Sequence, residues 1–212
     1  MKIKSSILLL QLMFFLAACN NVSVDEKVEE TFELGVTTDG HYHNAYFDLE
    51  IYFDPTWNIQ KQEQVALMKE EGAPILVEAQ KELKVGEVNT TYLLTVLKHP
   101  KEAQVLYNPK FVALVENIRN FPEIKTGADY LLQLQQALRQ VAIRYDFEEI
   151  YEKQIDSKVF HVLKTQTHHL EMQVHQDYYT TIVRNFCLSF IITYQTNKEQ
   201  EELLEIINKV RI

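Results

Sequence analysis

From residue 147 to residue 194 the apolar side chains follow the period of extended chain, and this stretch limits the fold more than any other. Segments 147–154 and 159–165 read as strands joined at Ile155-Asp156-Ser157-Lys158, and a longer strand over 170–183 meets 186–194 across Arg184-Asn185. A two-residue connection of that kind joins neighbouring antiparallel strands, whereas parallel neighbours need a crossover of a dozen residues or more. The last third is therefore expected to form an antiparallel meander.

The preceding chain supplies helices and further strands. Phe47, Leu49, Ile51 and Phe53 alternate with Asp48, Glu50 and Tyr52, the pattern of a half-buried strand that begins near Tyr46. Asp54-Pro55 ends it, and Trp57 is placed to plug the end of a core. Residues 62–71 and 75–81 read as helices divided by Gly72 and Pro74. Residues 91–98 are rich in β-formers and nearly continuous in apolar character, which suits a central strand, and 111–118 form another. Thr126 is an N-cap, with Asp129 positioned for the exposed amides of the first turn. Leu131, Leu134, Leu138 and Val141 follow at helical spacing. Residues 198–209 close the chain as a helix that buries Leu203, Ile207 and Val210. Helices placed early and late around an antiparallel meander give an α+β fold.

The first eighteen residues carry a different message. Lys2 and Lys4 precede an apolar run over 7–18, broken only by Gln11, and the run ends in Leu16-Ala17-Ala18-Cys19. This charged, apolar, small-residue order is that of an export signal. The run is shorter than the roughly 20 apolar residues that a spanning helix needs. Leu-Ala-Ala-Cys matches the bacterial lipobox, a resemblance that implies a diacylglyceryl group on the Cys19 sulfur and acylation, often, of the new amino terminus. Two or more acyl chains anchor stably where one binds reversibly. The implied address is the cell envelope, lipid-anchored and facing outside the cytoplasm. Asn20 is not the Asp that often signals inner-membrane retention, which favours the outer membrane in a diderm cell. Residues 1–18 thus read as a signal peptide, 19–44 as a lipidated N-terminus and flexible tether that contains the turn Thr37-Thr38-Asp39-Gly40, and 45–212 as one domain.

Charge and cysteine content narrow the partners. The formal charge is −9 and becomes −11 once the two signal-peptide lysines are removed. A surface this acidic does not neutralise phosphates, so nucleic acid is not expected as a partner. With Cys19 carrying lipid, Cys187 is the remaining cysteine. It sits in the apolar run 186–193 and reads as a small buried hydrophobe rather than a nucleophile.

The order of elements resembles the PsbP-like superfamily of α/β/α sandwiches. The resemblance rests on the opening strand and tryptophan, Leu49-Glu50-Ile51-Tyr52-Phe53-Asp54-Pro55-Thr56-Trp57, and on Phe186-Cys187-Leu188-Ser189-Phe190-Ile191-Ile192-Thr193-Tyr194 leading into Glu201-Glu202-Leu203-Leu204-Glu205-Ile206-Ile207. It covers residues 45–212, and the two early helices are additions to the minimal fold. Such proteins mostly act as binding or accessory subunits, so the resemblance implies a non-catalytic module with another envelope protein as its partner.

Residues able to carry chemistry are few. His41 and His43 share a face if they lie in a strand, and His161, His168, His169 and His175 surround the late hairpin. If that hairpin turns near Thr167, His161 and His175 oppose one another, and a small-ligand or metal-binding role becomes the alternative. Neither HExxH nor CxxC is present, and no metal or other cofactor is expected. Ser157 and Ser189 sit outside G-x-S-x-G and S-x-x-K contexts, and no catalytic residue is assigned. The acid pairs Glu70-Glu71, Glu148-Glu149 and Glu201-Glu202 suit solvated faces. Tyr178, Tyr179 and Tyr194, beside Asp177, fit either a recognition surface or the edge of a core.

Overall fold

The computed structural model describes residues 33–60, 90–169 and 172–212, with the side chains of 168–172 left out of the description. The chain divides into two units, Met1–Thr31 and Phe32–Ile212, and the described residues all lie in the second. Cys19 and the early helices expected over 62–71 and 75–81 fall outside the described residues.

Eleven strands and two helices are described. A three-stranded antiparallel sheet comprises β1 (Val36–Thr38), β2 (His41–Asn44) and β3 (Leu49–Tyr52). The large sheet comprises β4 (Asn58–Ile59), β5 (Thr90–Leu97), β6 (Lys110–Asn117), β7 (Tyr145–Phe147), β8 (Tyr151–Ile155), β9 (Lys158–His169), β10 (Met172–Val183) and β11 (Phe186–Tyr194). Its order is β4-β5-β6-β11-β10-β9-β7, with β8 also paired to β9, and every pairing is antiparallel. Helix α1 (Gly127–Leu138) lies between β6 and β7, and α2 (Asn197–Lys209) ends the chain. The fold is α+β, with mostly antiparallel sheet.

The two-residue side-chain period sorts the large sheet into two faces. Phe111, Ala113 and Val115 of β6, Leu188, Phe190 and Ile192 of β11, Tyr179 of β10 and Phe160 and Val162 of β9 share one core. That core is closed by Leu49 and Ile51 of β3 and by Leu203, Ile206 and Ile207 of α2. On the opposite face, Leu131, Leu134 and Leu138 of α1 cover Leu163 and Tyr178. Both helices begin with a capping box. Thr126 accepts from the Asp129 amide and Thr196 from the Glu199 amide, while each acid reaches back to the cap backbone. Gly127 lets α1 start against β10, because a Cβ there would stand 2.1 Å from the Thr180 carbonyl oxygen.

Four expectations need correction. Ordered strand begins at Val36, within the stretch read as tether. Asp39-Gly40 forms a two-residue hairpin turn between Thr38 and its partner His41, with φ of +46° and +76° at its two residues, and Tyr42 and Asn44 are buried. The strand over 91–98 lies next to the short β4 rather than centrally. The strand expected over 147–154 is two strands, because Glu148, Glu149 and Ile150 face only two residues of β9 between the pairs Phe147–Thr165 and Tyr151–Val162. The helix expected to reach Val141 ends at Leu138. Trp57 packs half-buried against the main core.

Candidate functional site

The late strands end in a cleft on the α2 face of the large sheet. Asp177 and His175 of β10, Tyr194 of β11, Lys164 of β9, Glu148 from the β7–β8 connection and Gln200 of α2 line a cavity of about 290 Å³. Register explains the convergence: Asp177 lies opposite Lys164 on one side and Ile192 on the other, and His175 lies opposite Tyr194. Thr196 fixes the start of α2, so Gln200 falls one helical turn from the cap and reaches the strand residues.

Asp177 is the centre of this arrangement, with 1 % of its surface exposed. The Tyr194 hydroxyl lies 3.2 and 3.3 Å from its two carboxylate oxygens, and the Gln200 amide donates to Oδ2 at 3.2 Å and also to the Tyr194 oxygen. Burial pushes the Asp177 carboxyl above the ordinary carboxylate range. Lys164, Gln200 and Tyr194 pull it back in part, and Glu148 adds to the rise. Burial likewise pushes the Tyr194 phenol up, helped by the negative charge of Asp177. The His175 ring stacks on Tyr194 at 5.2 Å between centroids and 10° between planes. A short way along the same face, Lys153 sits 5.4 Å over the Tyr179 ring.

The other candidate residues are dispersed. His161 lies opposite Thr180 and His175 opposite Gln166, five positions apart along the ladder, because the β9–β10 connection falls after His169 and not near Thr167. The expected opposition of these two histidines is therefore absent. His161 Nε2 instead lies 3.5 Å from Glu152. His41 stacks on Tyr52, and His43 Nδ1 lies 3.9 Å from Glu50, both on the outer side of the small sheet. Among the described residues, no group of three or more His, Cys, Asp or Glu is placed to hold a metal ion, and no helix is long and apolar enough to cross a membrane. Ser157 donates to the carbonyl of Ile212, and Ser189 is buried beside Thr180. Cys187 is fully buried, and burial pushes its thiol well above the usual range. Tyr178 and Tyr179 belong to the cores on opposite faces rather than to a recognition surface. Tyr194 alone of the three lines the cleft.

Lys164, Gln200, Asn197 and Asp146 line the cleft without having stood out in the sequence. Strand parity did not point there, because Tyr178 and Tyr179 of opposite parity are both buried and β10 is covered on both faces. No family model matches the chain, and no curated protein matches it. Among solved structures, LpqN of Mycobacterium tuberculosis, which is involved in cell envelope biogenesis, superposes with a TM-score of 0.37 at 12 % identity over 56 % of this chain and 70 % of LpqN. A likeness of that extent assigns neither a fold family nor a function.

Proposed function

We propose that this chain is a lipid-anchored cell-envelope protein whose α+β domain, of PsbP-like type, binds another envelope protein without chemistry of its own. The envelope address rests on the signal pattern and on Leu16-Ala17-Ala18-Cys19, with the outer membrane as the site in a diderm cell. The PsbP-like reading is supported by a sheet with α1 on one face and α2 on the other, and by the passage from β11 directly into α2.

The observation that carries the binding role is the Asp177 cleft. Its polar groups come from four strands and a helix, and Asp177, Tyr194 and Gln200 at its centre hydrogen-bond to each other, as in pre-formed recognition sites. Among the described residues its lining contains no serine or cysteine, and the buried Cys187, whose thiol is pushed up by burial, faces the α1 side of the sheet. In-cell photocrosslinking from Asn197 at the cleft rim, followed by mass spectrometry, tests the role. One reproducible envelope partner is expected, and an empty capture from abundant folded protein would overturn it. Cys19→Ala tests the address: acyl label and membrane partitioning should both be lost, and retention of both would refute lipidation.

A further inference from the structure

We infer that the Asp177 cleft receives an organic cation, the guanidinium or ammonium group of an arginine or lysine side chain on the partner; this rests on the binding role proposed above. Charge is the first argument. Asp146, Glu148 and Asp177 line the cavity against Lys164, and with Arg144 paired to Asp146 the acids still exceed the bases by one when ionised, which disfavours an anionic ligand. Acceptor capacity is the second. A carboxylate offers about four lone-pair positions, and Asp177 receives hydrogens from Tyr194 and Gln200 alone among the described residues.

Charge compensation points the same way. Lys164 is the register partner of Asp177, yet among the described residues no lysine or arginine forms an ion pair with Asp177, whereas Lys98 and Lys209 do so with carboxylates of α2 and Arg144 does so with Asp146 of the same cleft. A buried charge without a paired counter-charge is costly, and a ligand cation in the cleft supplies the missing partner. The walls favour the same group. His175 and Tyr194 bring aromatic rings into the lining with the carboxylate, and guanidinium groups both stack on aromatic planes and hydrogen-bond carboxylates. A cavity of about 290 Å³ lies at the lower limit of small-ligand sites and suits one side chain.

The test is a titration of the full-length protein in nonionic detergent, followed by amide NMR shifts. The probes are Nα-acetyl-arginine methylamide, its lysine analogue, the neutral citrulline analogue and free agmatine. Saturable shifts around His175, Asp177 and Tyr194 are expected with the arginine probe, with dissociation constants on the order of millimolar for a single side chain, and none with citrulline. Asp177→Asn should weaken binding about tenfold through loss of a charged hydrogen bond. Glu148→Gln, at an exposed rim position, should weaken it about threefold with the fold intact. Equal shifts from arginine and citrulline, or binding insensitive to both variants, would overturn the inference. Binding of agmatine without the blocked residues would overturn its assignment to a partner side chain. A partner captured from Asn197 whose crosslink ignores Asp177→Asn would sink the cation while leaving the binding role intact.

Discussion

Toward the Val183–Phe186 turn, the β10–β11 ladder carries Tyr179 opposite Phe190 beneath α2 and the small sheet, and both rings are buried. Toward its other end the same ladder carries His175 opposite Tyr194, with Asp177 between, and opens into the cleft. The two strands are continuous, the side chains share one face, and the spacing along the chain is small. What differs is the chemistry placed on that face. Phe190 stacks between Phe111 and Phe160 at 5.8 and 5.3 Å, while Tyr194 spends its hydroxyl on a buried carboxylate. The packed apolar end holds the polar end in register, so the placing of His175, Asp177 and Tyr194 needs no loop.

The largest effect should come from the apolar end. Phe190→Ala removes a fully buried ring between two others and should cost about 3–5 kcal/mol, read as a lowered denaturation midpoint in urea. A near-native midpoint would mean that the two ends are not distinguished by packing, and the contrast drawn above would fail.

Asp177→Asn should act in the opposite direction. Burial raises the Asp177 carboxyl in the folded protein, so the native state keeps its proton to higher pH than the unfolded chain does. Its contribution is complete below the unfolded value of about 3.9 and is lost as pH rises through the folded value, at no more than about 1.4 kcal/mol per pH unit for one proton. The asparagine variant lacks this loss. It should exceed the wild type in stability at pH 7, with the gap closing toward pH 4, while its cation binding falls. A variant less stable than the wild type at pH 7 would make Asp177 a structural anchor between β10 and α2.

The apolar end was legible in the sequence and the polar end was not, for physical reasons. Phe186, Leu188, Phe190 and Ile192 alternate within one strand, and the cap at Thr126 is local, so short windows suffice to read them, although the matching box at Thr196 was not read. The Asp39-Gly40 turn was also visible, and its strands were missed because the flanking residues are polar. By contrast, Lys164, Asp177, Tyr194 and Gln200 come from four elements, and their meeting depends on where the β9–β10 connection falls. Placing that turn near Thr167 brought His161 to His175, whereas the actual register brings Lys164 to Asp177. The extra residue at Glu148–Ile150 is equally invisible to periodicity, since it shows only against a partner strand.

The two capping boxes allow the finest test of the comparison. Thr126 and Thr196 make the same pair of hydrogen bonds at the starts of α1 and α2, so Thr126→Ala and Thr196→Ala should each cost about 1 kcal/mol. Their consequences for the cleft should differ. The first turn of α2 carries Asn197 and Gln200 into the lining, whereas α1 rests on the opposite face against Leu163 and Tyr178. Loosening Thr196 should shift the amide signals of Asp177 and Tyr194 and weaken the arginine titration, and loosening Thr126 should do neither at equal loss of stability. If both variants disturb the cleft alike, its geometry is set by the stability of the whole sheet and not by α2.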